Sequence, residues 1–313
     1  MNHFARQIPT VFLVGLLLFS SACGKTPEKA SNAVETSPEP VAEKAKPLSS
    51  PFREYWYSGT AEVSSYALSQ ARYGELREGH AVLVFVTEPF NPAEQVKADR
   101  PDSNSVSVLK LNRVRNFLTG IYPYSIMSSI FYPVGDNDHA LKVSTSVQEW
   151  CGHVYAQLNN RGRFEIESHS YFEQEGDQHL SLPKNTLEDE LWTRLRIDPE
   201  RLPTGKDSLI PSLEYLRLRH QPLRPYEANL TLSEPGAQRT YTITYPELNR
   251  TLQLHFEGTF PYTIQGWTET YPSGFGPGAP VLTSTARLIR KLNTAYWRQN
   301  SNKDVFLRDS LGI

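Results

Sequence analysis

The chain has 313 residues and is nearly neutral, with 32 Lys and Arg against 34 Asp and Glu and a formal charge of −2 at pH 7. Its basic residues are scattered, so the composition does not indicate a nucleic-acid partner. It contains two cysteines, Cys23 and Cys151. If Cys23 is modified, no intramolecular disulfide is possible, and the fold must depend on its hydrophobic core.

Residues 1–22 have the pattern of a secretion signal. The apolar stretch from Ile8 to Phe19 is shorter than the roughly 20 residues of a membrane-spanning helix. The small residues Ser20 to Ala22 then precede Cys23, as in the signal peptides of bacterial lipoproteins, where the cysteine is lipidated. Ser20 departs from the leucine that usually stands there, and an ordinary cleaved signal is the alternative.

Residues 23–51 predict a lipidated cysteine followed by a disordered linker. The segment is rich in Pro, Ala, Ser and Glu and has almost no large apolar side chains, so it cannot offset its ordering entropy by burial. Gly24, not aspartate, follows Cys23, and by the sorting rule of enteric bacteria we expect an outer-membrane lipoprotein that faces the periplasm.

Residues 52–313 predict a single, mainly antiparallel β domain, built as a curved sheet or an open β-barrel with two short helices. Aromatic residues and Thr are frequent, and segments with a helical period are few. The first half predicts a loosely alternating strand in Tyr55–Tyr73, a turn at Glu75–Gly79, a central strand buried on both faces at His80–Glu88, paired strands at Val96–Asp99 and Val106–Asn112, and two strands in Phe117–Pro133 that bend at Tyr122-Pro123.

The clearest hairpin lies between Ser144 and Glu173, around a three-residue loop at residues 160–162 that ends in a left-handed glycine. This loop pairs Asn159 with Arg163 and makes His153 and His169 direct cross-strand neighbours. Alternation leaves one face of the hairpin nearly all apolar and the other polar. The polar face is our candidate pocket, and its residues are Glu149, Cys151, His153, Tyr155, Glu167, His169 and Tyr171.

Three interpretations of this polar face stay open. It is an ordinary sheet face whose histidines and tyrosines hydrogen-bond to carboxylates, or a polar pocket without metal, in which Cys151 beside a histidine is a candidate nucleophile. In the third interpretation, two opposed imidazoles and a thiolate, from His153, His169 and Cys151, hold a zinc ion.

The second half predicts two helices and further strands. One helix begins near Thr186 and the other is capped by Asp207. The predicted strands are Asn229–Ser233, Gln238–Tyr245, Thr251–Glu257, Tyr262–Tyr271 and Val281–Arg287, followed by helical turns at Asn293–Arg298 and Asn302–Leu311.

Two further groups of residues are candidates for binding. The aromatic run Phe117–Tyr132 suits either a cavity for an acyl chain or peptide, or ordinary core. Four arginines suit either an anionic head group or glycan carboxylate, or a solvated face: Arg72, Arg217, Arg219 and Arg224. Walker loops, dinucleotide fingerprints, nucleophile elbows and zinc-binding H-E-x-x-H helices are absent from the sequence.

Four stretches resemble a family of uncharacterised bacterial lipoproteins, some of which carry the label "septum formation inhibitor Maf". They are Trp56–Tyr66, Ala71–Phe90, Leu118–Met127 and Ser146–Asn160. The label implies a nucleotide pyrophosphatase with an S-x-S-P-R-R loop. The segment at residues 49–53, SSPFR, lacks the arginine pair, so we do not carry that activity over.

A second resemblance concerns Leu213–Arg217 and the Pro222–Pro225 segment after it. They are similar to the helix and hairpin of periplasmic β-domains that resemble open-barrel lipoprotein carriers, except that Tyr226 stands where that pattern usually has glycine. The resemblance implies a concave sheet that holds acyl chains.

The sequence therefore favours a membrane-anchored periplasmic lipoprotein that works as a binding or carrier module, or in envelope assembly, without catalysis and without a cofactor. Its expected partners are the membrane, through the N-terminal lipid, and an acyl, lipid or envelope-protein ligand. The alternatives are a metal-dependent hydrolase centred on Cys151, His153 and His169, and a pocketless scaffold for another protein.

Overall fold

The computed structural model describes residues 48–135 and 138–313, which form sixteen strands and four short α-helices. The strands before the midpoint are β1 Ala61–Arg72, β2 Glu75–Asn91, β3 Val96–Lys97, β4 Val106–Thr119, β5 Tyr122–Pro133, β6 Lys142–Glu149, β7 Gly152–Asn160, β8 Phe164–Ser170 and β9 Asp177–Leu182. Those after it are β10 Thr186–Leu187, β11 Gly205–Ile210, β12 Tyr226–Leu232, β13 Gln238–Tyr245, β14 Arg250–Glu257, β15 Ile264–Pro272 and β16 Val281–Thr294. The helices are α1 Ser50–Trp56, α2 Glu188–Ile197, α3 Leu213–Arg219 and α4 Phe306–Leu311, with 3-10 turns at Pro199–Arg201, Tyr296–Arg298 and Asn302–Asp304.

All of these strands belong to one sheet, in which most strands pair antiparallel with their neighbours in the chain. The order across the sheet is β10-β11-β12-β13-β14-β15-β16-β1-β2-β4-β5-β6-β7-β8-β9, and the short β3 pairs with β2. Strands β10 and β11 form a parallel pair. Tight connections suffice for most of this meander, because consecutive antiparallel strands need only a short turn between them.

The sheet curls until its two edges come close. From β10 to β9 it has fourteen inter-strand steps, which at about 4.8 Å each would make a flat sheet about 67 Å wide. Yet β9 ends at Leu182 and β10 begins at Thr186, and four residue steps span at most about 14 Å. Among the described residues no ladder joins β9 to β10, so the sheet stays open. The predicted fold class is confirmed, with four short helices instead of two.

The centre of the sheet is made by the two ends of the described chain. Strand β1 lies between β2 and β16, with Ala61 opposite Thr294 and Glu62 opposite Phe85. The central strand predicted at His80–Glu88 is part of the longer β2, which has a neighbouring strand on each side. Its predicted burial on both faces is wrong for one face, where Val82 and Val84 are only half-buried.

The concave face of the sheet carries the core, and the helices α1, α2 and α3 fill it. Inward positions alternate with outward ones along each strand, as on β2, where Ala81, Leu83 and Phe85 are fully buried. Helix α2 packs against β4 and β5, and α3 packs against β6. Part of the convex face is also covered, because Leu311 of α4 packs near Val82 of β2.

The hairpin prediction is right about the faces and wrong about the register. Strands β7 and β8 pair Asn160 with Phe164 and Tyr155 with His169, two residues away from the predicted pairing. The loop is therefore 161–163, and Gly162 does not take the positive φ that the predicted turn requires. In the observed register Phe164 is completely buried. Because the slip is an even number of residues, the side chains of β7 and β8 stay on their predicted faces. The prediction is wrong for Glu149, which is buried at the end of β6, and for Trp150, which is exposed in the turn before β7.

Several predicted boundaries are also wrong. The turn predicted at 75–79 lies at Tyr73 and Gly74, which both adopt positive φ and leave Glu75 onward to pair with β1. The bend predicted at Tyr122-Pro123 lies two residues earlier, in the turn between β4 and β5, where Gly120 has φ +62°. The predicted pair of strands near residues 96–112 does not form, because both β3 and β4 pair with β2.

The second half agrees better with prediction. Strands β12 to β16 overlap all five predicted strands, although β16 extends to Thr294. The helix predicted to start at Asp207 starts later: residues 205–210 form β11, and helix α3 begins at Leu213.

The predicted signal peptide, lipidated cysteine and linker up to residue 47 lie outside the described residues. The end of the predicted linker is wrong, because residues 50 and 51 already belong to helix α1. Within the part that is described, no helix has the length and apolar character needed to cross a membrane.

Candidate functional site: a buried ion network and a lateral cavity

The concave face holds an unusual set of buried charges, which we call the core ion network. They come from strands β4, β14 and β15 and from helices α2 and α3, and each is at most 5% exposed. Its members are Arg113, Arg115, Glu188, Asp189, Glu214, Arg250 and Glu269. Charged groups are rarely buried to this degree unless they are paired, because taking an isolated ion out of water is very costly.

Arg250 is the most completely paired member of the network. Its Nη1 and Nη2 donate to the two carboxylate oxygens of Glu188 at 2.5 and 2.7 Å, and its Nε donates to Glu269 at 2.8 Å. The hydroxyl of Tyr245 also donates to Glu188, at 2.9 Å. Burial alone would raise the pKa of Glu188, but the charge and hydrogen bonds of Arg250 outweigh it and hold that pKa below its usual value.

The network also ties the two inner helices to the sheet. Asp189 of α2 accepts from Arg113 Nη2 at 2.8 Å, and its other oxygen accepts from the backbone N–H of Leu213 at 3.1 Å, at the start of α3. Glu214 lies 3.2 Å from Arg115 Nη1 and 3.4 Å from Arg113 Nη2. The free volume enclosed by these groups is about 10 Å³, which is at most one water molecule. The network is therefore packed, and it holds the helices in place.

A second buried pair has the same role at the other side of α2. Arg196 donates through Nη1 and Nη2 to Glu62 of β1 at 2.6 and 2.8 Å, and Tyr55 of α1 donates to the same carboxylate at 2.5 Å. Burial together with the Glu62 charge raises the pKa of Tyr55 to about 12. The pair joins the two helices to the central strand of the sheet.

The open space lies elsewhere, in what we call the lateral cavity. It has a volume of about 410 Å³ and lies between β7, β8 and the edge strand β9 on one side and α3 with its following loop on the other. Half of its lining is apolar and half polar: Val154, Ala156, Ser168, Gln174, Glu175, Gln178, Leu180, Leu213, Leu216, Arg217, His220, Gln221, Pro222 and Leu223. Its position at the open edge follows from the fold, because the sheet provides no further strand there.

The polar end of the lateral cavity contains a carboxylate, an imidazole and a guanidinium. His220 follows α3 in the left-handed conformation, at φ +50°, and its Nδ1 lies 2.5 Å from Glu175 Oε1. The other oxygen of Glu175 accepts from Ser170 at 2.5 Å. Burial would raise the pKa of Glu175, but these two hydrogen bonds keep it below its usual value.

The predicted polar pocket does not line this cavity. Glu149 is buried, and the other six residues are exposed on the opposite, convex face of the hairpin: Cys151, His153, Tyr155, Glu167, His169 and Tyr171. His153 pairs across the sheet with Gln148 of β6 instead of His169, and His169 meets Asp177 at 3.1 Å. The predicted contact between the two histidines is wrong, because the real ladder is shifted by two residues.

Cys151 lies in the turn between β6 and β7 and is exposed. Its backbone N–H donates to Glu149 at 2.7 Å, and the same carboxylate accepts a hydrogen bond from the thiol, which raises the pKa of Cys151. A raised pKa lowers the thiolate fraction, which is the reverse of what a nucleophile or a metal ligand needs. Across residues 48–135 and 138–313, no group of three His, Cys, Asp or Glu side chains is arranged to hold a metal ion.

The aromatic run Phe117–Tyr132 is divided between core and surface. In the aromatic run, Phe117, Tyr124 and Tyr132 are buried core residues, while Ile121 at the hairpin turn is 80% exposed. The run does not line the lateral cavity.

The four candidate arginines are not part of one surface. Arg72 is buried and donates to the carbonyl of Leu218 at 2.5 Å, Arg219 donates to that of Gly274 at 3.0 Å, and the exposed Arg224 pairs with a surface glutamate. Arg217 lines the lateral cavity.

The core ion network was not predicted, although the alternation of inward and outward residues along β4 indicates buried charges. On β4, Arg113 and Arg115 share the odd-numbered face with Leu111 and Phe117, which are buried. A charge on the apolar face of a strand requires a buried partner. The acidic start of α2 supplies one for Arg113, and Glu214 and Glu269 supply those of Arg115.

Comparisons with known proteins identify neither a family nor a ligand. No protein-family model matches the chain, and no curated protein matches it. A similar solved structure is a β-barrel-like protein of the domain of unknown function DUF1849 from Brucella abortus. It is 8% identical, the match covers 75% of this chain and 98% of that one, and the TM-score is 0.45.

Proposed function

We propose that the protein is a binding or carrier module that holds a small, partly apolar ligand in the lateral cavity. The observation that supports this most is the cavity itself, whose volume of about 410 Å³ falls in the range of ligand pockets, roughly 300–1,000 Å³. Its polar cluster of Glu175, Arg217 and His220 and its apolar side chains offer an amphipathic molecule both kinds of contact. The existence of the cavity favours this function over a pocketless scaffold.

The proposal includes the location that the N-terminal sequence predicts. A lipid on Cys23 and the predicted Pro-rich linker before helix α1 would hold the sheet domain near the outer membrane, where apolar ligands are abundant. Mass spectrometry of the purified protein should show an acylated N-terminal cysteine. A mature chain that starts elsewhere, with an unmodified Cys23, would reject the lipoprotein part of the proposal.

We do not propose a metal-dependent hydrolase. His153 and His169 lie in different cross-strand pairs, and the Glu149 carboxylate raises the pKa of Cys151. The geometry and the chemistry of this face therefore give no support to that alternative.

Binding of a neutral fluorescent probe, N-phenylnaphthylamine, tests the carrier function. The full chain would carry Cys23→Ser so that it is lipid-free. Ala156→Phe projects a ring from β7 into the lateral cavity, and we expect it to weaken probe binding at least about 10-fold, because one buried aromatic group displaces ligand contacts worth over 1 kcal/mol. Gln157→Phe, on the convex face of the same strand, is the matched control. Equal binding to both variants would place the probe outside the cavity.

A further inference from the structure

Arg217 is the one buried arginine of the described chain whose charge has no close partner. Its side chain is 93% buried, as the residue is 7% exposed, and neither Nε nor Nη2 has a hydrogen-bond partner. Its Nη1 makes a long contact of 3.5 Å with His220 Nε2. The other six buried arginines each donate to a carboxylate, carbonyl or side-chain oxygen: Arg72, Arg113, Arg115, Arg196, Arg239 and Arg250.

The surroundings of Arg217 keep it cationic without pairing it. Its guanidinium lies 4.3 Å above the ring of Phe172, where a cation is attracted by the face of the ring. Burial lowers the pKa of Arg217, and the nearby Glu175 charge only partly offsets this, but a guanidinium stays charged at neutral pH. Both oxygens of Glu175 are already used, by His220 and Ser170.

An unpaired buried charge is destabilising, so its presence beside an open cavity indicates a ligand that completes it. The two unpartnered donors, Nε and Nη2, are adjacent on one edge of the guanidinium. Both are shielded from solvent in the ligand-free structure, so a head group reaches them only when the side chains over that edge move. That edge matches two oxygens of a carboxylate or of a phosphate group, which accept two parallel hydrogen bonds. The remaining lining includes apolar side chains on the sheet side, with Val154 and Leu180, and on the loop side, with Leu223, next to the polar Ser168, Gln178 and Gln221.

We infer that the lateral cavity binds an anionic amphiphile, with a carboxylate or phosphate head on Nε and Nη2 of Arg217 and an apolar chain against the strand side chains. This inference rests on the proposed function and specifies its ligand class. The volume of about 410 Å³ equals about 14 water volumes of roughly 30 Å³ each. A chain of about ten carbons with its head group fills it, and a longer chain would leave through the open edge of the sheet.

Calorimetric titrations of the full chain carrying Cys23→Ser, at pH 7.5, test the inference with three probes of equal chain length. Decanoate and decyl phosphate carry the anionic head, and decanol is neutral. We expect at least one anionic probe to bind about 10- to 100-fold more tightly than decanol, the range given by charge-assisted hydrogen bonds, and the stronger of the two identifies the head group. Arg217→Gln should remove this difference and leave decanol binding unchanged. Arg217→Lys, which keeps the charge but not the two parallel donors, should retain part of it.

Arg219→Gln is the matched control, because Arg219 is on the same helix and donates to the carbonyl of Gly274 instead of facing the cavity. It should bind all three probes like the parent chain. If decanol and both anionic probes bind the parent chain equally, or if Arg217→Gln retains the preference, the inference is overturned and the carrier function stands. If none of the probes binds, both fail. The comparison of probes on the parent chain needs no variant, so it does not depend on how Arg217→Gln folds.

Discussion

Replacing Arg250 by methionine is the sharpest test of the core ion network. The substitution keeps most of the side-chain length but leaves the carboxylates of Glu188 and Glu269 buried without their nearest cation. Removing one partner of a buried ion pair costs about 3–5 kcal/mol, far more than the pair itself contributes relative to an apolar replacement. For a chain of this size each kcal/mol lowers Tm by about 2–4 °C, so we expect a loss of about 10 °C.

The matched control is Arg224→Met, which breaks an exposed pair with Glu247. Exposed pairs contribute about 0–1 kcal/mol. Urea unfolding at pH 7 should therefore separate the two variants by at least 2 kcal/mol. A further variant, Arg250→Met with Glu188→Gln, should recover part of the loss, since it removes one of the two unpaired charges.

The pH dependence of this loss has a definite sign. In the parent protein Arg250 lowers the pKa of Glu188. The ionised Glu188 therefore adds to the free energy of unfolding above its unfolded-state pKa, about 4.3, and this stabilisation is lost as pH falls below that value. In Arg250→Met burial instead raises the pKa of Glu188, so protonation relieves the unpaired charge. The difference between the two proteins should shrink from pH 7 to pH 4. A cost below about 1 kcal/mol at pH 7, or a difference independent of pH, would refute the reasoning.

Three further predictions follow from single contacts. Gly79→Ala should lower the unfolding free energy by about 1–3 kcal/mol, because the new Cβ would lie 2.2 Å from a carbonyl oxygen of β4. Gly162→Ala is the control: no atom lies within 4 Å of its Cβ, so its free energy of unfolding in the same urea titration should be nearly unchanged. Glu149→Gln should speed alkylation of Cys151 by iodoacetamide at pH 8, because the carboxylate that raises the thiol pKa is gone; an unchanged rate would contradict that cause. Arg217→Met should raise the unfolding free energy of the ligand-free protein by about 1 kcal/mol, and a loss of stability would show that the cation is paired in solution.

The second half of the fold could be predicted because its strands alternate strictly between buried and half-exposed positions. On β13, Tyr241, Ile243 and Tyr245 are buried and the residues between them are not. Such alternation reports which face is covered, and the strand length follows from it. The same signal assigned both faces of the β7–β8 hairpin correctly.

The register of that hairpin could not be predicted, because an even slip leaves the alternation unchanged. The choice between Asn159 and Asn160 as the last paired residue depends on the loop conformation and on the burial of Phe164, which the pattern alone does not rank. For the same reason His153 and His169 were placed together, and a site was expected on a face that the structure leaves in solvent.

The lateral cavity could not be predicted, because its lining comes from segments far apart in the chain and a local sequence pattern does not show which segments meet. Arg217 was among the candidate anion-binding residues, but its sequence neighbours do not show that it is buried while Arg224 is exposed. Its position results from the packing of α3 against β6 and from the open edge at β9. The hairpin strands, in contrast, are local and were found.

The pairing of β1 with β16 sets the order in which this protein can be completed during biosynthesis. Strand β1, which starts at residue 61, has a neighbouring strand on both sides only after the chain has been synthesised to residue 294. Until the last strand emerges, β1 exposes a long row of unpaired backbone groups, which is a template for aggregation. Contacts of such long sequence separation also slow folding. The chain therefore needs protection from other chains until β16 has been synthesised, and a truncation before β16 would leave an unpaired strand edge at the centre of the sheet.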